Sequence, residues 1–106
     1  MPFLAYDLSL ELARSCCPVV AAVRKRNANL AKQLDEAVDS VHQNLAEAGG
    51  RHGDDRVRLF RYSYASLREV RSSLELTMIK GWLPRQPEAA AIAYRLGGML
   101  YRLARL

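Results

Sequence analysis

The chain is predicted to be all-α, folded as an antiparallel up-down-up-down four-helix bundle. Three observations point there. Ala and Leu dominate the apolar residues and Arg the charged ones, and these side chains lose little conformational freedom in a helix. Val57, Phe60, Tyr64, Leu67, Leu74 and Met78 recur at three- and four-residue intervals, with Arg71 at the one polar site, which marks a helix buried along one side. Clusters of Asn, Gly and Pro then divide the chain into four such segments joined by short turns, and short turns leave successive helices antiparallel. No alternating strand pattern lasts long enough to compete.

The first helix should begin near Ala5 to Asp7, with Asp7 as a cap, and run to about Arg24. Leu8, Leu12, Cys16, Val19 and Val23 form its inward face. Pro18 lacks a backbone donor and crowds the preceding turn, so a kink is expected, or a break into two short helices. After a basic turn at residues 24–29, Asn27 or Asn29 caps a second helix that reaches Ala48. Its face is Leu30, Leu34, Ala37, Val38, Val41, Leu45 and Ala48, and Gly49-Gly50 ends it. Asp54 is the expected cap of the long third helix, which stops at Gly81. Trp82 and Leu83 should then fold back over the bundle end, where the indole gains by burial. Pro84 and Pro87 flank the next connection. Pro87 suits the first turn of a fourth helix running nearly to Leu106, with Ile92, Leu96, Met99, Leu100 and Leu103 inward. Gly97-Gly98 within it costs about 1 kcal/mol per glycine relative to alanine. The pair implies either close helix packing or a local irregularity.

At this length residues 1–106 make one domain. Its net charge of +5 is unevenly distributed: residues 1–50 carry five basic and six acidic side chains, residues 51–106 eleven and five. A basic half attracts nucleic acid, an acidic protein or an anionic surface alike, and arginine suits phosphate and carboxylate equally. Cys16 and Cys17 are adjacent, make no Cys-x-x-Cys motif, and read as small buried hydrophobes. The N-terminus lacks a signal-peptide pattern, and no apolar run approaches the roughly 20 residues of a membrane span. A cytoplasmic protein without membrane contact is expected.

Polar residues fall in phase with the apolar stripes. Asn44 lies on the ridge of Leu30, Leu34, Ala37 and Val41, with Ser40 and Glu47 beside it, while Ser66 and Glu69 flank Leu67 and Val70. Such groups need partners inside a bundle. We therefore expect an interhelical polar network of Ser40, Asn44, Glu47, Ser66 and Glu69 that sets helix register. Glu47 and Glu69 as a catalytic acid–base pair would require a substrate cavity, and none is indicated. Glu-x-x-His pairs are absent, and His42 and His52 lack companion ligands, so no metal, cofactor or enzymatic activity is expected.

The basic side chains are more informative. Arg58, Arg61, Arg68, Arg95 and Arg102 are the expected contact residues for RNA or a ribonucleoprotein, through the phosphate backbone rather than the bases. Arg51, Lys80, Arg85 and Arg105 extend the same charge. A protein-interaction scaffold with an acidic partner is the alternative. Leu59, Tyr62 and Leu76 lie off the inward stripe, which favours a homo-oligomer.

One stretch carries a family likeness. Gln33, Leu34, Ala37, Ser40, Asn44, Ala46, Glu47 and the Gly50-Arg51 turn, followed by Phe60, Ser66, Leu67, Glu69, Leu74 and the Gly81 helix stop, occur in order. This pattern resembles the four-helix bundle proteins encoded in intervening sequences of bacterial 23S ribosomal RNA genes. It covers about residues 6–83. Leu45 stands where isoleucine is common, and Ala48 and Ala65 replace usual glycines, changes that preserve helix but alter close contacts. The resemblance implies a compact bundle whose relatives form homopentamers. It further implies an architecture shared with the accessory variability proteins of diversity-generating retroelements, which use a basic surface and associate with a reverse transcriptase and nucleic acid. For intervening-sequence proteins themselves it implies no enzymatic activity.

Overall fold

The computed structural model describes residues 3–83 and 87–106; Pro84 and Arg85 lie outside them. Four helices run through the described chain: α1 (Leu4–Arg24), α2 (Ala28–Ala48), α3 (Gly53–Ile79) and α4 (Glu88–Leu103). The packed pairs are α1–α2, α2–α3, α3–α4 and α1–α4. Sequence neighbours are therefore spatial neighbours, and the ring closes between first and last, as an up-down-up-down bundle requires. The body measures 42 × 23 × 22 Å. The 27 residues of α3, at 1.5 Å rise each, extend about 40 Å and so span nearly its whole length.

Helix ends follow local chemistry, with three corrections to the expected caps. Phe3 rather than Asp7 holds the cap position before α1, and its ring turns in to meet Phe60 edge-on at 6.1 Å. Asp7 instead sits in the first turn, at the positive end of the helix dipole. α1 continues unbroken through Pro18. That proline lies on the exposed side, so water can satisfy the carbonyl its missing N–H leaves open. The Asn27 side chain accepts from the Leu30 amide at 3.0 Å and caps α2. His52, without a side-chain cap bond, precedes α3, while Asp54 falls in its first turn. Pro87 occupies the position just before α4 rather than its first turn.

The end of α3 is a Schellman motif. Gly81 adopts φ +73°, its amide donates to the Met78 carbonyl at 3.0 Å, and the Trp82 amide donates to Thr77 at 3.0 Å. This reversal returns Trp82 and Leu83 against the core, half-buried. α4 closes with the same bond pattern, Arg105 to Arg102 at 3.1 Å and Leu106 to Tyr101 at 3.2 Å. Here the left-handed residue is Arg105, at φ 55°.

Leu12, Leu34, Leu45, Leu67, Leu74, Leu96 and Leu100 are fully buried along the axis. α3 contributes two ridges. Phe60, Tyr64, Leu67, Arg71 and Leu74 run along the side that meets α4: Tyr64 approaches Tyr101 with ring centroids 6.0 Å apart, and Arg71 lies over Tyr94. Leu59, Ser63, Ser66, Val70 and Thr77 form a second ridge. From it Ser63 donates to the Val41 carbonyl of α2 at 2.9 Å. Leu59, expected outside, is only 5% exposed, because a helix between two neighbours buries a sector wider than one stripe. Tyr62 and Leu76 remain exposed.

Candidate nucleic-acid interface

The predicted polar network assembles in part. Ser40 Oγ and Ser66 Oγ lie 2.7 Å apart across the α2–α3 seam. Asn44 donates through Nδ2 to the Ser40 carbonyl at 2.8 Å and reaches its hydroxyl at 3.2 Å. Glu47 and Glu69 are outside this network. Glu47 is exposed and meets Arg51 at 3.1 Å, one helical turn on, where water stabilises its charge at no desolvation cost. Glu69 is also exposed, on the wall of a shallow groove shared with Gln33, Glu36, Ser40 and Ser66. Glu47 does not line that groove, so the two carboxylates do not converge on one cavity.

A second polar contact had no sequence signature. Ser9 is buried on α1 and donates to the Tyr6 carbonyl at 2.6 Å, and its oxygen lies 3.1 Å from His42 Nδ1 on α2. With the hydroxyl proton directed to Tyr6, the Ser9 oxygen is placed to accept from an Nδ1–H tautomer of His42. Tyr6 packs on the same imidazole, with ring centroids 5.1 Å apart. His42 is thus an α1–α2 packing element. Among the described residues no group of three or more His, Cys, Asp or Glu is placed to hold a metal ion. Nor is any described helix long and apolar enough to cross a membrane. Burial pushes the Cys16 thiol up to about 12, while Cys17 is exposed.

The five arginines singled out from the sequence divide by environment. Arg58 pairs with Asp55, whose other oxygen takes Arg51 at 3.0 Å. The Arg58 hydrogen bond holds the Asp55 carboxyl below the usual carboxylate range, and the same bond raises Arg58. Its charge is therefore partly spent within the chain. Arg61 donates through Nε to the Ala104 carbonyl at 3.0 Å, capping α4 from α3. Arg68, Arg95 and Arg102 are exposed and have no carboxylate partner among the described residues.

A basic concavity lies at one end of the bundle, where the start of α3 meets the end of α4. Gly53, Arg56, Val57, Phe60, Arg102, Leu103 and Arg105 line an open groove of about 390 Å³ with no carboxylate on its wall. Arg56 is held by stacking: its guanidinium carbon lies 5.6 Å from the Phe3 ring centre and 5.3 Å from that of Phe60. Its Nε is buried and has no hydrogen-bond partner among the described residues. An unmet buried donor of this kind costs about 1–3 kcal/mol.

Residues 3–100 match the sequence model of the family described as 23S rRNA-intervening sequence protein. The chain belongs to this family. The match runs on through most of α4, beyond the motifs of residues 6–83. A crystal structure with the same fold is that of a protein with unknown function from the S23 ribosomal protein family of Bacteroides thetaiotaomicron. It superposes with a TM-score of 0.85 over 96% of this chain and 99% of that one, at 16% identity. Comparison with curated proteins gave no match. The two chains thus share a fold at low identity, which fits a fold specified mainly by apolar periodicity.

Proposed function

We propose that this intervening-sequence protein is a non-enzymatic, self-associating, cytoplasmic bundle whose arginine surface binds RNA or a ribonucleoprotein through the phosphate backbone. The observation that carries the reading is the exposed set Arg68, Arg95 and Arg102, unpaired with any carboxylate among the described residues, on a half-chain of strongly positive charge. Guanidinium groups without internal partners keep their full attraction for phosphate. Arg58 and Arg61 contribute less, since each already serves an internal bond. The architecture of the retroelement accessory proteins, implied by resemblance, supports the same use of a basic bundle face.

Self-association, as a homopentamer by family resemblance, is supported by Tyr62, Leu76, Ile79, Tyr94 and Tyr101. These large apolar side chains stand 40–82% exposed on α3 and α4. The same side chains support the second reading, a scaffold for an acidic protein partner that touches no nucleic acid. Native mass spectrometry combined with fluorescence anisotropy on a structured RNA separates the two. RNA binding at low salt by an oligomer supports the first reading. An RNA-inert oligomer that captures an acidic protein overturns it.

A further inference from the structure

We infer that the end groove of Arg56, Arg102 and Arg105 is a binding site for one phosphate group. The inference rests on the RNA-binding reading for its biological source and on its own geometry for the site. Three guanidinium-bearing residues line a single concavity of about 390 Å³ that no carboxylate enters. Asp55, the nearest acidic side chain in sequence to Arg56, is engaged by Arg51 and Arg58 on another side of the helix.

Two of the arginines, Arg56 and Arg105, are placed there by something other than electrostatics. Arg56 is clamped over Phe3 and Phe60, with its buried Nε–H lacking an acceptor among the described residues. Arg102 lies one position from the groove-lining Leu103 in the last turn of α4. Arg105 occupies the left-handed position after α4, at φ 55°, where glycine is the usual choice. Holding a long cation in a backbone conformation that costs energy makes sense if its head group has a use. The groove also opens at Gly53, the first residue of α3, whose helix start carries no side-chain cap. A tetrahedral dianion or a phosphodiester offers the acceptors that the terminal N–H groups of the guanidinium side chains lining the groove require.

The test uses the full chain and two probes, inorganic phosphate and a fluorescein-labelled RNA hairpin, on wild type, Arg102→Gln and Arg105→Gly, with Arg68→Gln and Arg95→Gln added for the RNA probe. Arg105→Gly removes the cation at a backbone position that glycine adopts freely, so this variant is expected to fold. Phosphate should shift the Arg56 Nε–Hε resonance in wild type, and both groove substitutions should weaken that shift several-fold. In the RNA titration each should weaken binding and lower the slope of log affinity against log salt by about one. Phosphate binding without RNA binding supports the site, makes free phosphate its source, and overturns the RNA reading. RNA binding that is weakened by Arg68→Gln and Arg95→Gln but ignores Arg102→Gln and Arg105→Gly, with no phosphate response at Arg56, overturns the site and leaves the RNA reading standing on Arg68 and Arg95. No response to either probe overturns both.

Discussion

Replacing Gly97 with alanine is expected to stabilise the bundle, although this glycine is buried at the α3–α4 seam. A β-carbon built there would sit 3.5 Å from Arg71 Nη1 and 3.7 Å from Leu67 Cδ2, both ordinary van der Waals separations. Alanine recovers about 0.8–1.0 kcal/mol of helix propensity that glycine forfeits. The new methyl, once buried, adds on the order of 0.8 kcal/mol. Together these give roughly 1–2 kcal/mol. For a domain near this size, 1 kcal/mol moves the melting temperature by about 4 °C or somewhat more. Urea and thermal unfolding would measure it, at one fixed protein concentration because self-association makes the midpoint concentration-dependent. Gly98→Ala is the internal control: its methyl meets only Arg102 Nη1 at 3.9 Å, so propensity alone should act. Should Gly97→Ala lose stability while Gly98→Ala gains it, α3 and α4 approach more closely than described. The reasoning about the glycine pair then fails.

Three further outcomes follow from the same contacts. Arg61→Met should cost about 1 kcal/mol by uncapping the Ala104 carbonyl, whereas Arg68→Met should cost almost nothing; paired urea melts would separate a cap from a free surface charge. Ser63→Ala should cost about 1 kcal/mol for the lost bond to the Val41 carbonyl, seen as a lower urea midpoint with an unchanged slope. A thiol reagent at pH 8 should label Cys17 promptly and Cys16 only on unfolding. Burial holds the Cys16 thiol protonated until about pH 12, so its reactive thiolate appears only far above the assay pH; rapid double labelling of folded protein would refute this.

Much of the bundle could be read from residue order because its signals are local. Asn27 caps, Gly81 stops and the three-four spacing of Phe60, Tyr64, Leu67 and Leu74 needs no distant information. What escaped was set by neighbours. The ridge of α3 that meets α2 carries Ser63, Ser66 and Thr77, so hydrophobic periodicity registers only the ridge that meets α4 and leaves Leu59 on the outside. Glu47 and Glu69 stand three residues beyond the half-buried Asn44 and Ser66, at the edge of each ridge, and both are exposed; spacing does not fix where the buried sector ends. Arg61 reads as surface charge until Ala104, 43 residues later, supplies the carbonyl it caps. The Arg56, Arg102 and Arg105 groove joins two chain segments that only the folded bundle brings together.

The most direct test of the account measures how RNA affinity varies with salt, for wild type and for a variant with Arg68, Arg95 and Arg102 all changed to glutamine. If these side chains contact phosphates, log affinity falls linearly with log salt, and the triple substitution flattens the slope by roughly 2–3 as three contacts are lost. Equal slopes for the two proteins, or no binding to RNA at 50 mM salt, would contradict it.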